Sequence, residues 1–284
     1  MTDAAPAGAP APAAAPDTLL PPKRDLFGVG VTPTRYDEAV AAVVAAARAR
    51  RSLTVTALAT HGLMEAVHDD GFGAVVNGID VVTPDGQPLR WALNRLHGAG
   101  LTDRVYGPDL TRAVLAAMER EGLQPFFFGS SEQTCRALVD AVTAKHPALR
   151  VAGFQADRFR EATPEEDAAD VATILASGAD VVFCGRGCPR QERWVHAHRD
   201  LLPMPSLAVG AAFDYIAGNL QRPPRWMQDH GLEWLARLVQ EPRRLFRRYL
   251  VTNLQFVAHF AAALARSGVR RSPELPAPSP GRAA

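Results

Sequence analysis

The chain of 284 residues lacks the features that mark several common protein classes. It has three cysteines, too few for a disulfide framework. No run of ~18 apolar residues occurs, which excludes an ordinary spanning helix, and no charged stretch leads into an apolar one at the N-terminus. The expectation is a cytoplasmic protein, with attachment to a membrane surface left open. Net charge is only +1, from 31 Lys and Arg against 30 Asp and Glu, so an evenly basic coat for nucleic acid is excluded and no nucleic-acid partner is expected. Missing as well are the Gly-Lys-Ser/Thr ending of a Walker A loop, a GxGxxG dinucleotide fingerprint, a Tyr-x-x-x-Lys pair and a CxxC pair. Neither nicotinamide chemistry nor a cysteine zinc site has its signature, and neither a cofactor nor a resident metal is expected.

What is present is an ordinary apolar content of 47% in a length that fits one large α/β domain with appendages, or two small domains. Residues 1–22, built from Ala, Pro and Gly, bury too little apolar surface to offset ordering entropy and are expected to be a disordered lead. Residues 272–284 share that composition and that expectation. Between them, short runs rich in Val, Phe and Ile alternate with longer Ala/Leu-rich stretches. That alternation predicts an α/β domain over 23–221, with a Rossmann-like, mostly parallel sheet and flanking helices, followed by a helical, Arg-rich appendage over 222–271. Predicted strands are Leu53–Ala59, Gly78–Gly86, Gln124–Ser130, Leu149–Gly153, Ala179–Gly185 and Ser206–Ala212. Predicted helices are Tyr36–Ala49 with Thr34 as N-cap, Glu132–Lys145 with Ser130 and Gln133 as capping box, and one starting at Thr163-Pro164-Glu165-Glu166.

Ligands of open α/β sheets bind beyond the carboxyl ends of the strands. Four predicted ends are unusually polar: Thr56 with Thr60-His61, Asp85-Gly86-Gln87, Gly129-Ser130, and the run Gly185 to Glu192, GRGCPRQE. A carboxylate at Asp85, projecting from the sheet edge into a crevice, is placed to take a proton; the competing reading is a Pro-Asp-Gly turn whose Asp bonds its own backbone. In the GRGCPRQE run the glycines let a backbone approach a phosphate, and the following helix N-terminus adds partial positive charge, supplemented by Arg186 and Arg190. An ordinary βα loop with solvated arginines fits equally. Cys184 and Cys188 straddle this loop at a spacing that does not suit zinc.

Aspartate pairs of the DxD kind, which hold a metal against a diphosphate, are absent. A departing diphosphate would need cations from the protein itself. From Arg222 to Arg271 ten arginines stand against Asp229, Glu233 and Glu241, and guanidinium forks suit phosphate oxygens. A solvated basic helix face is the plain alternative. Leu250–Ala265 follows without formal charge apart from His259; beside the arginines it reads as an interfacial membrane contact, or as a helix packed on the domain or on a second subunit. Homo-oligomerisation stays open. His61 follows a strand end and can bond a sugar or phosphate, whereas His196 and His198 read as residues of a surface helix. Trp226, Trp234, Phe246 and Tyr249 read as the core of the appendage.

Together, VTPDGQP (Val82–Pro88), RVYGPDL (Arg104–Leu110), FFFGS (Phe126–Ser130), GRGCPRQERW (Gly185–Trp194), AVGAAFDYIAG (Ala208–Gly218) and RPPRWMQDHGLEWLARLVQEPRRLFRR (Arg222–Arg248) resemble the WecG/TagA/CpsF glycosyltransferase family from about Leu53 to about Tyr249. The resemblance implies an inverting, metal-independent enzyme. It would move N-acetylmannosamine, its uronic acid, glucose or a similar sugar from a UDP-sugar to a polyprenyl-diphosphate-linked sugar, on the inner face of the cell membrane, in cell-surface polysaccharide synthesis. It places the proposed general base at Asp85, a donor contact at Gln191, a Thr at Thr56, and arginines that fold over the site at Arg237, Arg244, Arg247 and Arg248. The matching motifs add Tyr106, Gly107, Asp109, Pro189 and Arg190 to the donor-binding candidates. Many members carry Thr-x-Asn where this chain reads Thr56-Ala57-Leu58, which removes an amide suited to sugar hydroxyls. A sugar-nucleotide epimerase or dehydrogenase lacks its motifs here; a non-catalytic, membrane-docked assembly protein, in which Asp85 would be idle, is the remaining rival.

Overall fold

The computed structural model describes residues 20–240 and 242–269. Strands β1 (Arg24–Leu26) and β2 (Val29–Val31) form an antiparallel hairpin. Helix α1 (Tyr36–Arg48) then leads into β3 (Leu53–Leu58), α2 (Thr60–His68), α3 (Asp70–Gly78), β4 (Val81–Pro84), α4 (Gln87–His97) and α5 (Gly107–Glu121). Next come β5 (Pro125–Phe128), α6 (Glu132–Lys145), β6 (Gly153–Gln155), α7 (Pro164–Ala176), β7 (Val181–Cys184), α8 (Arg190–Ala197), β8 (Pro205–Ala208) and α9 (Ala212–Ile216). The C-terminal segment is α10 (Arg225–Asp229), α11 (Glu233–Gln240) and α12 (Pro242–Val269).

The six strands from β3 to β8 pair in the order β4-β3-β8-β7-β5-β6, all parallel. All their carboxyl ends therefore lie on one edge. Strands β4, β5, β7 and β8 are buried along their whole length, as expected when helices cover both faces of a parallel sheet. Side chains alternate between faces. Val55, Phe127, Phe183 and Leu207 meet α1, α5 and α6 on one side, while Phe126, Phe128, Val182 and Ala208 meet α7 and α8 on the other. A further cluster joins the hairpin, α2, α3 and α4 to Phe256 of α12.

The α/β architecture agrees with the pattern read from the sequence, and several local readings are corrected. Thr163 caps α7, and its Oγ1 accepts the Glu166 N–H. For α6 the cap is Ser131, whose hydroxyl accepts the Thr134 N–H at 3.2 Å, not Ser130, which takes φ +64°. For α1 the cap position is Arg35; Glu38 accepts its N–H at 2.9 Å and the Thr34 hydroxyl at 3.0 Å. The strand expected at Leu149–Gly153 begins only at Gly153, since the Leu149 N–H closes a turn on the His146 carbonyl. His198 is not a surface residue. It is 5% exposed, stacks on Trp194 with ring centroids 4.5 Å apart, and lies with Nε2 2.8 Å from Asp167 Oδ2. Leu20, inside the expected lead, packs against the core. The tail from Ser272 lies outside the described residues. Among the described residues no helix is long and apolar enough to cross a membrane.

Candidate active site

A cleft of about 550 Å³ opens along the carboxyl edge of the sheet. The ends of β3, β4, β5, β7 and β8 supply one wall through Thr60, His61, Asp85, Ser130, Gly185, Arg186 and Gly210, and the C-terminal segment supplies the other through Glu233, Trp234, Tyr249, Thr252 and Asn253. Of the residues singled out from the sequence, Asp85, Thr60, His61, Gly86, Gln87, Tyr106, Ser130, Gly185, Gly187, Arg190, Gln191 and Glu192 line this cleft together.

Asp85 follows β4 directly. Its Oδ2 accepts the Gly107 N–H at 3.4 Å, the first residue of α5, and its own N–H donates to the Leu58 carbonyl at 3.2 Å. Gln191 is buried behind the floor, where its Oε1 accepts from Gly187 N–H at 3.2 Å and Gly210 N–H at 3.0 Å. One amide oxygen thus pins the loops after β7 and β8 to each other. Its Nε2 donates to Glu192 Oε1 at 2.8 Å, and Thr56 Oγ1 donates to the same oxygen at 3.1 Å. Burial pushes the Glu192 carboxyl above its ordinary range, and these two donors only partly offset it.

Thr56, Gly107, Asp109, Gly129 and Pro189 do not line the cleft. Thr56 is fully buried against Glu192. Asp109 accepts from Arg222 at 2.9 Å and so anchors the start of the C-terminal segment. The glycines at this edge serve packing. A Cβ on Gly129, whose φ is +115°, would come within 2.8 Å of the Arg186 backbone nitrogen, and one on Gly185 within 2.6 Å of the Phe213 ring. Gly129 thus lets the loop after β5 lie against the loop after β7, and Gly185 leaves room for Phe213. Arg237 lies on α11 and Arg244, Arg247 and Arg248 on α12, but their side chains lie outside the described residues.

Two arginines of the cleft carry a paired charge. Arg186 Nε donates to Asp157 Oδ1 at 3.1 Å and Arg190 to Asp157 Oδ2 at 2.6 Å, and the Asp157 side chain is wholly buried. The Arg186 guanidinium lies over Phe128, 5.2 Å from the ring centroid. Arg104, Phe159, Asp214 and Tyr215 also line the cleft and were not among the site candidates. Arg104, Asp214 and Tyr215 sit inside motifs already quoted, RVYGPDL and AVGAAFDYIAG, so their position was readable but their role was not. Phe159, at φ +54° and 65% exposed on the rim, has no sequence signal of its own. Among the described residues no group of three His, Cys, Asp or Glu is placed to hold a metal ion, and Cys184 and Cys188 are free thiols. Burial pushes the Cys184 thiol up to about 12.

The description "Glycosyl transferase WecG/TagA/CpsF family" belongs to a family model that matches residues 24–270. Two relatives, from Bacillus spizizenii and Bacillus subtilis, bear the name N-acetylglucosaminyldiphosphoundecaprenol N-acetyl-beta-D-mannosaminyltransferase. The first is 30% identical over 187 residues, covering 66% of this chain and 70% of the relative. The second is 27% identical over 196 residues, covering 67% and 74%.

Proposed function

Because the chain belongs to the WecG/TagA/CpsF glycosyl transferase family, we propose that it transfers N-acetylmannosamine from its UDP-linked form to a polyprenyl-diphosphate-linked N-acetylglucosamine in cell-surface polysaccharide synthesis. The observation that carries this reading is the sharing of one cleft by Asp85, the glycine loop Gly185–Gln191 and Arg104 at the carboxyl edge of the sheet. The names of the two relatives support the choice of donor and acceptor.

In the proposed step Asp85 removes the proton of the acceptor hydroxyl while its oxygen attacks the anomeric carbon. The bond from that carbon to the UDP oxygen breaks with its electron pair, and configuration inverts. Guanidinium groups at the cleft meet the charge that develops on the diphosphate, without a divalent metal. Leu58, where many family members have Asn, is buried beside Gly62 and leaves that part of the wall without a side-chain amide. The N-acetyl and hydroxyl groups of the donor are therefore met by other groups of the cleft.

We place the protein on the inner face of the cell membrane, held by its C-terminal segment. Along α12, Tyr249, Thr252, Asn253 and Phe256 turn toward the body, while Phe246, Leu250, Leu254 and Val257 are exposed on another face. An apolar helix face next to an arginine-rich stretch suits a surface of anionic headgroups.

The test is incubation of the full chain with UDP-N-acetylmannosamine, UDP-glucose and UDP-N-acetylglucosamine, each with a short-chain polyprenyl-diphosphate N-acetylglucosamine, in the presence and absence of EDTA. The expected outcome is a product heavier by one N-acetylhexosamine, of inverted configuration, from UDP-N-acetylmannosamine with or without chelator. Donor binding without transfer would instead favour an assembly protein.

A further inference from the structure

The cleft is joined to the C-terminal segment by a buried ion pair that the step above leaves unexplained. Arg104 lies between α4 and α5, and Glu233 is the first residue of α11; their side chains are 8% and 12% exposed, and Arg104 NH1 bonds Glu233 Oε2. The Arg104 guanidinium lies over the Tyr106 ring at 4.5 Å from its centroid. Arg222 covers the same ring at 5.6 Å. Burial alone would lower the pKa of Arg104, but the hydrogen bond to Glu233 and the nearby charges of Asp85 and Glu233 more than offset it and hold this group above its ordinary range. The charge on Arg104 is thus maintained by one carboxylate of the cleft floor and one delivered by the C-terminal segment.

The same segment is seated by directional contacts around the pair. Gln87 Nε2 donates to the Gln228 carbonyl at 3.3 Å, and Gly231 packs so closely on Trp91 that a Cβ there would come within 3.0 Å of the ring. Glu233 Oε1 and Gln87 Oε1 are both buried at the cleft with no protein donor.

We propose that Glu233 is a positioning residue for Arg104. Delivered by α11, it fixes the guanidinium on Tyr106 and beside Asp85, so that this cation faces the departing diphosphate only when the C-terminal segment is seated. The proposal rests on the transferase reading above and adds a residue to it. A simple clamp between body and segment would need complementary charges in either order; a positioned cation needs the arginine on the body and the carboxylate on the segment.

The test uses the full chain as wild type, Glu233→Gln, Glu233→Asp and the exchanged pair Arg104→Glu/Glu233→Arg, with melting temperature, UDP affinity by calorimetry, and kcat and KM of transfer. Glu233→Gln is expected to lower UDP affinity and kcat by about tenfold each, with the acceptor KM within about twofold, and Glu233→Asp to recover part of both. The exchanged pair is expected to melt near wild type and to stay inactive. Wild-type UDP affinity and kcat in Glu233→Gln, a loss confined to the acceptor KM, or recovery of activity in the exchanged pair would each overturn the proposal. If Glu233→Gln fails to fold, Glu233→Asp decides with the same readouts. A wild-type chain that neither binds UDP nor transfers sugar would overturn the transferase reading instead.

Discussion

Asp85 and Glu192 are two carboxyls of one cleft in opposite surroundings. Asp85 is half-buried at the end of β4, where its Oδ2 accepts a long contact from the Gly107 N–H and its carboxylate lines the cleft. Replacing it with Asn keeps the shape and removes the base. Asp85→Asn is expected to retain UDP affinity and melting temperature while transfer falls by ~10²–10⁴, the usual range for loss of a general base; near-wild-type turnover in a radiolabelled sugar-transfer assay would remove Asp85 from the mechanism. Glu192 is 1% exposed and accepts from Thr56 and Gln191. Burial raises its folded-state pKa, so between its ordinary range and that raised value the native state holds a proton that the unfolded chain has lost. Its contribution to stability therefore falls as pH rises through that window. Glu192→Gln, which cannot ionise and keeps an acceptor oxygen, is expected to melt like wild type at pH 4 and above it at pH 8; a difference independent of pH would contradict this. The position of Asp85 in the cleft was legible because it directly follows an apolar strand at the carboxyl edge of the sheet, whereas spacing alone did not separate a base from a Pro-Asp-Gly turn. The bond from Thr56 to Glu192 was not legible, because the two residues are distant in the chain and only the fold brings them together.

At the scale of elements, the six parallel strands were legible because apolar runs buried on both faces leave an unmistakable pattern, and their ends located the cleft. Two kinds of element were not. The β1–β2 hairpin has three-residue strands, too short for any period to register, and is fixed by Asn77 of α3, which accepts the Gly30 N–H and donates to the Gly28 carbonyl. Helices α2 and α3, between β3 and β4, were not legible because they abut with only Asp69 between them, so their apolar faces do not run on in one register. The sequence left Leu250–Ala265 between a membrane contact and a helix packed on the domain or on a second subunit, and one residue of α12 does belong to the core. Phe256 is 7% exposed, meets Phe27 edge-on at 5.7 Å, and joins the cluster of Leu63, Phe72 and Leu93. Truncating a buried Phe to Ala costs about 3–5 kcal/mol. Phe256→Ala is expected to lower unfolding stability by that order in urea titration, and to reduce transfer further than stability accounts for, because Tyr249, Thr252 and Asn253 share the face that Phe256 seats. A full loss of stability with unchanged kcat in the folded fraction would show that the helix packs without serving the cleft.

For the whole molecule, the near-neutral total conceals two unlike parts, since ten of the chain's Lys and Arg stand between Arg222 and Arg271 against three carboxylates. The acidic-leaning body carries the cleft, and the basic segment both walls it and turns Phe246, Leu250, Leu254 and Val257 outward. A single segment with those two faces can join two requirements of the proposed reaction, a lipid-linked acceptor and a charged leaving group. If so, membrane attachment and catalysis are separable by face. Replacing exposed apolar residues should weaken attachment and leave the cleft intact, because Phe246 and Leu250 are 60% and 52% exposed and outside its wall. Phe246→Glu/Leu250→Glu is expected to lose at least about tenfold in partitioning to vesicles containing phosphatidylglycerol, with wild-type binding already weakened by raised salt or by neutral phosphatidylcholine vesicles. The same variant should keep its kcat on a short-chain acceptor free in solution and lose rate only on a long-chain acceptor held in vesicles. Equal losses on both acceptors would place these side chains in the catalytic wall; unaltered vesicle partitioning would move the membrane contact to another face.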